Sequence, residues 1–214
     1  NTAVGKDALK TNTTGHSNTG VGESALEANT TANNNTGVGY AALAANTTGH
    51  SNVAVGSLAL DANTTANNNT AIGYESLTTN TTGTANTGVG RTSLNANSTG
   101  SNNTSVGMGS LESNTTADSN TAVGKDALQS NTTGTENVAV GATAGDALTT
   151  GSENVVIGSD ALSTSTTGGN NVAIGRMALK VNTAAGNTAV GHQSMISNTT
   201  GASNVAVGKN ALDS

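Results

Sequence analysis

Apolar residues recur along this chain at a fixed spacing and nowhere form a long run, so the pattern is a repeat before it is a helix or a strand. A 17-residue unit, N-[TV]-[AG]-[VI]-G-x-x-[AS]-L-x-x-N-T-T-[GA]-x-x, begins at Asn1, Asn18, Asn35, Asn52, Asn69, Asn86, Asn103, Asn120, Asn137, Asn154, Asn171, Asn187 and Asn204. The thirteenth copy is truncated and the eleventh lacks one residue. These copies are coils 1 to 13 below, and residues are placed by their position, 1 to 17, within a coil. No linker interrupts them, and the chain reads as one repeat domain over residues 1–214.

Position 5 is Gly in every copy and charged residues follow it at positions 6 and 7, which predicts a strand over positions 1 to 5 closed by a glycine turn. Gly5, Gly22, Gly39, Gly56 and Gly73 are such turn glycines. Position 4 is always Val or Ile, and position 9 is Leu except at Gly145 and Met195. These two columns form the predicted core. From the strands it takes Val4, Val21, Val38, Val55, Ile72, Val106 and Val123, with the coil 6 member set at residue 88, in the Gly88-Val89 pair. At position 9 it takes Leu9, Leu26, Leu43, Leu60, Leu77, Leu94, Leu111 and Leu128. A second extended segment is expected over positions 8 to 11, before the turn-prone Asn-Thr-Thr-Gly reverses the chain. Periodicity over so few residues does not by itself separate that segment from a helical one, but the abundant Gly, Thr and Asn oppose a helix. The predicted fold is therefore an all-β solenoid, or β-roll, of thirteen coils. At ~4.8 Å per coil it is a rod about 60 Å long.

Position 1 is Asn throughout, and Asn1, Asn18, Asn35, Asn52, Asn69, Asn86, Asn103 and Asn120 predict a ladder of stacked amides. Thr13, Thr30, Thr47, Thr64 and Thr81 are a candidate surface ladder of hydroxyls. Coil 9, residues 137–153, moves its Leu from position 9 to Leu148 at position 12, and a local irregularity is expected there. Position 3 is Ala, Gly or Ser in all copies but one, Val156, and never charged. With two large apolar side chains per coil the core of one chain is thin. The small position 3 therefore suggests close approach by the same strand of neighbouring subunits in a cyclic oligomer.

Composition removes several function classes. Without Cys there is no thiolate nucleophile, disulfide or zinc finger. Seven Lys and Arg against thirteen Asp and Glu, net charge −6, give no basic footprint for nucleic acid. No apolar run is long enough to span a membrane as a helix. His16, His50 and His192 occupy charged-type turn positions, and no calcium-loop pattern occurs, so neither metal nor cofactor is expected. Catalysis needs different groups converging at one place, whereas a repeating rod offers the same groups at each level. Asn12-Thr13-Thr14 and its equivalents match the glycosylation acceptor, largely because the chain is so rich in Asn and Thr.

The segments Asn1-Thr2-Ala3-Val4-Gly5, Asn52-Val53-Ala54-Val55-Gly56, Asn154-Val155-Val156-Ile157-Gly158 and Asn171-Val172-Ala173-Ile174-Gly175 resemble the head repeats of YadA-like trimeric autotransporter adhesins. The full unit is also similar to repeats of phage-type tail fibres. The resemblance covers the whole chain, with a longer period and an Asn-Thr-Thr-Gly insert. It implies a parallel homotrimeric fibre, extracellular or on a virion, with position 4 in the core and a host-surface, matrix or glycan ligand. The expected function is thus a structural or adhesive fibre segment, not an enzyme. Two alternatives stand beside it: an ice-binding solenoid using the Thr ladder, and a passive spacer filament.

Overall fold

The computed structural model describes residues 1–213 and contains a single parallel sheet of thirteen three-residue strands, β1 (Thr2–Val4), β2 (Thr19–Val21) and so on to β13 (Val205–Val207). Each strand pairs in register with its sequence neighbours, Thr2 opposite Thr19 and Val4 opposite Val21, in unbroken order from β1 to β13. There is no helix among the described residues. The molecule is a parallel β-solenoid in which one repeat makes one coil.

There is one strand per coil, not two. Over positions 6 to 12 the backbone alternates, with positive φ at position 7 (Asp7, 58°) and again at position 9 (Leu9, 50°). The N–H groups of positions 8 and 12 close short turns, Ala25 to Gly22 O at 3.3 Å and Asn29 to Leu26 O at 3.1 Å. Those of odd positions reach adjacent coils, Ser24 to Lys6 O at 2.9 Å and Leu26 to Ala42 O at 3.0 Å. Most backbone donors of positions 7 to 12 are thereby used without an extended strand. Leucine is an unusual residue for positive φ, and it is held there in coil after coil because its side chain is the only large one the interior accepts.

The strand also faces opposite to expectation. Position 3 points inward and is fully buried in coils 4 and 5 (Ala54 and Ala71), while positions 2 and 4 point outward. Val4 is 57% exposed, Val55 36%, Ile72 40%, and Val106 and Val123 37% each; Val21, Val38 and Val89 are half-buried. The position 4 residues are thus not the core of this chain. The reason is space: a Cβ on Gly20 would already lie 3.2 Å from the Ala25 carbonyl oxygen and 3.4 Å from Leu9 Cγ. Position 3 is accordingly Ala, Gly or Ser in every coil but coil 10, whose Val156 is the one larger residue taken into the interior there and is fully buried. Coil 6 needs a correction of its own, because residue 88 is no core valine. Gly88 stands at position 3, paired with Ala71, and is buried, whereas the valine of that strand is Val89 on the outer face. A Cβ on Gly88 would come within 2.7 Å of Ser76 Oγ and 3.4 Å of Leu77 Cδ1, so the interior has no room for a valine at 88. The smallness of position 3 is explained within one chain, by its own coil, without a neighbouring subunit. The interior is lined by position 3, by Ala or Ser at position 8, and by Leu9, Leu26, Leu43, Leu60, Leu77, Leu94, Leu111 and Leu128, all buried.

Gly5 and its equivalents have φ of about 130–142°, and a Cβ on Gly5 would sit 2.5 Å from the Gly22 carbonyl oxygen. Both the dihedral and the close stacking require Gly, which accounts for its invariance at the end of each strand.

Candidate functional site

Two columns of Asn, not one, close the coils, the second of them interrupted at Leu148 and Ser165. At position 1 the side-chain oxygen accepts the backbone N–H of the next Asn, as from Asn18 to Asn1 Oδ1 and from Asn35 to Asn18 Oδ1, both at 2.9 Å. Its Nδ2 crosses the coil to the carbonyl at position 15, as from Asn35 to Gly49 at 2.8 Å. The same pattern runs through Asn52, Asn69, Asn86, Asn103 and Asn120, which are fully buried. At position 12 the amides bond each other: Asn29 Nδ2 donates to Asn12 Oδ1 at 2.8 Å, and Asn63 Nδ2 to Asn46 Oδ1 at 2.9 Å. They also reach the position 15 carbonyl, so that the Ala32 oxygen receives both Asn18 (2.7 Å) and Asn29 (3.2 Å). Each coil is pinned shut at that oxygen.

The second column was hidden in sequence because Asn-Thr-Thr-Gly has turn chemistry whatever the direction of its Asn. It also bears on glycosylation. The acceptor amides of Asn46, Asn63 and Asn80 are enclosed and hydrogen-bonded in the folded chain.

Hydroxyls at position 13 are likewise structural. Thr13, Thr30, Thr47, Thr64 and Thr81 each donate to the carbonyl of position 13 in the following coil, at 3.0 to 3.5 Å. The adjacent position 14 is different. Thr14, Thr31, Thr48 and their equivalents up to Thr167 are exposed, and none donates its hydroxyl within the chain among the described residues. The free hydroxyl column is one residue beyond the predicted one.

Three surfaces could meet a partner. The first is the outer face of the sheet, where Thr or Val at position 2 stands beside Val or Ile at position 4 on all thirteen rungs without a charge. The second is the position 14 column. The third was not foreseen: the only two aromatic side chains of the chain, Tyr40 and Tyr74, share position 6 and are 56% and 46% exposed. A concavity at the end of the solenoid is lined by Met195, Asn198 and Leu212.

No group of three or more His, Asp or Glu is placed to hold a metal ion among the described residues, and no helix there is long and apolar enough to cross a membrane. Asp61 and Asp146, both at position 10, have a buried Oδ1 without a partner. Desolvation raises the pKa of each above the ordinary 3.8, with Glu75 adding to the effect on Asp61 and Asp160 and Asp126 adding to it on Asp146. Compared with family models, with curated proteins and with solved structures, the chain matches none.

Proposed function

We propose that this chain is a non-enzymatic structural and adhesive segment of an extracellular or virion fibre, assembled from three parallel copies. The observation that carries the reading is the uncharged outer face of the sheet. Exposed aliphatic side chains are ordinary when scattered; a continuous strip of Val and Ile the length of a rod marks an interaction surface. The interior holds one large apolar side chain in most coils, and burial of the strip would cover the position 4 surface that a single chain leaves exposed, 36 to 40% of Val55, Ile72, Val106 and Val123. A parallel, in-register sheet repeats identically at each rung, so a second and third copy of the same chain supply a complementary strip along the whole length. Such a rod spaces a tip from a surface and multiplies weak contacts.

Sedimentation equilibrium at micromolar concentration tests it. A trimer is expected, converted to monomer by Val89→Lys with Val123→Lys, whose side chains are on the outer face and leave the interior untouched. A strictly monomeric parent chain would remove the proposal and leave a passive single-chain spacer. The position 14 threonines, regular and free, favour ice binding as the second reading. Thermal hysteresis in dilute solution would support that reading, and its absence would close it.

A further inference from the structure

The geometry points to a carbohydrate-binding stripe on the column of position 6, in which Tyr40 and Tyr74 are stacking platforms for an extended, equatorially linked hexopyranose chain lying along the rod. It would supply the adhesive half of the fibre reading and gives that reading a ligand class.

No aromatic side chain lies inside this solenoid, where Leu or Met is the largest buried residue, so the tyrosine positions on the surface are free to serve binding. Both occur in one column of seventeen, two coils apart, in coils 3 and 5. Coil 4 puts Ser57 on the rung between them, and Met108, 41% exposed, occupies the same column two coils further on. The in-register stacking fixes the separation of the tyrosines at two rungs, ~9.6 Å, about the length of a disaccharide unit in a flat β-1,4-linked chain. The backbone under them is rigidly hydrogen-bonded: Leu58 N–H donates to Tyr40 O at 2.9 Å, and Thr92 N–H to Tyr74 O at 3.0 Å.

The neighbours suit sugar more than protein. Glu23, Ser57, Arg91 and Lys125 interleave with Tyr40, Tyr74 and Met108 in the column, so hydrogen-bonding groups alternate with apolar ones. Glu75 follows Tyr74 directly and raises its phenol pKa, which places a carboxylate acceptor beside the ring. Pyranose rings present that same alternation, an apolar C–H face and equatorial hydroxyls at the rim. A protein partner would call instead for a continuous apolar patch with charge kept to its edge.

The chain has no Trp or Phe, so its tyrosine fluorescence and its tyrosine ring NMR signals report on this stripe alone. Titration with cellohexaose is expected to perturb both, with a dissociation constant of about 1 mM or below, while maltohexaose, whose α-1,4 linkage coils, leaves them unchanged. Tyr74→Ala should weaken binding of cellohexaose in calorimetry by at least about tenfold, since one of two linked contacts is lost. Ser57→Tyr with Tyr74→Ser keeps two tyrosines and moves them to adjacent rungs, and should weaken it as much. No perturbation by cellohexaose, equal perturbation by maltohexaose, or full binding by the shifted pair would overturn the proposal. So would a changed sedimentation coefficient in Tyr74→Ala, which would assign the rings to self-association. A trimer that binds no sugar sinks this site alone, and a monomer that binds it sinks only the fibre assembly.

Discussion

Coils 2 to 8 and coils 9 and 10 share one backbone path and differ in what fills position 12. In the regular coils a buried Asn continues the amide ladder from Asn29 to Asn131. In coil 9 the position belongs to Leu148 and in coil 10 to Ser165, both buried. The strands do not register the change: Val138 still pairs with Val155 and Val155 with Val172. In coil 9 the turn bond persists as well, with Leu148 N–H donating to Gly145 O at 3.0 Å where Asn12 donates to Leu9 O at 3.1 Å. The irregularity lies in the side chains. Leu148 leans into the space that Gly145 leaves open, for a Cβ on residue 145 would meet Leu148 Cδ1 at 3.1 Å and Leu128 Cδ2 at 3.2 Å. Asn131 Oδ1 and Ser165 Oγ are left buried and without a partner. Backbone hydrogen bonds between coils thus specify the solenoid, the leucine fills it from whichever position reaches, and the amide ladder adds stability that one coil can forgo.

The largest effects should break this equivalence or prove it. Leu148→Ala is expected to destabilise by about 2–5 kcal/mol, as a core leucine does and as Leu128→Ala does in the neighbouring coil, although the consensus at its position is Asn. Gly145→Leu alone overfills the same space and costs about 1–3 kcal/mol. Gly145→Leu combined with Leu148→Asn restores the regular unit and gives Asn131 Oδ1 a donor. That gain of about 1–3 kcal/mol is offset by the strain of a leucine at positive φ, roughly 1–2 kcal/mol, so the double variant should lie near the parent. Urea unfolding followed by circular dichroism measures all four. Additive single effects would show that the two sites are not one packing unit.

A smaller contrast is expected within the ladder. Asn63 Nδ2 donates to Asn46 Oδ1 at 2.9 Å and to Ala66 O at 3.2 Å, and its Oδ1 accepts from Asn80 at 3.3 Å. Asn131 donates to Asn114 Oδ1 at 3.0 Å and to Gly134 O at 2.9 Å, but accepts nothing. Asn63→Ala should therefore cost about 2–3 kcal/mol and Asn131→Ala about 1 kcal/mol less, because only the former strands a donor in the coil that follows. Equal losses in urea unfolding would mean that the bonds to the position 15 carbonyl, which both residues make, carry the whole effect.

The repeat, its strand within positions 1 to 5 and its first Asn column were legible because each is a local pattern: Gly at a turn, β-branched residues beside it, an unbroken amide column; the second extended segment expected over positions 8 to 11 is turns instead. The facing of the strand was not legible. Alternation gives two faces and does not say which is inside; hydrophobicity at Val4 and Val21 favoured the wrong one. Volume points to the inner face, since position 3 is small in every coil but that of the buried Val156, and a Cβ on Gly20, Gly37 or Gly88 would come within 2.7 to 3.2 Å of the opposite wall. The deletion in coil 11 shows how far side chains, not spacing, set the closure. With one residue fewer, Asn171 and Asn182 both turn to the Ala184 oxygen, at 3.0 and 2.8 Å, and Val172 still pairs with Thr188. Tyr40 and Tyr74 escaped notice because a column is informative by its repetition, and two residues among thirteen read as scatter until the rungs are stacked.

The smallest effect compares Asp61, in the regular part, with Asp146, in coil 9. Each is raised above 3.8 first by desolvation, Asp61 further by Glu75 and Asp146 by Asp160 and Asp126. A carboxyl whose folded pKa lies above its unfolded one binds its proton more tightly when folded. Its contribution is fully present below the unfolded value and is lost as pH rises through the raised one. The parent should therefore lose stability on this account as pH rises above 3.8 and through the raised values, the reverse of carboxylates held by ion pairs. Asp61→Asn and Asp146→Asn remove the charge, and each should raise the urea midpoint near neutrality by less than the ladder variants lower it, with no gain in acid. Asp146→Asn should gain the more, because two like charges face Asp146 and one faces Asp61. A gain at Asp61 alone would show that the carboxylates of coils 8 to 10 are already separated by water.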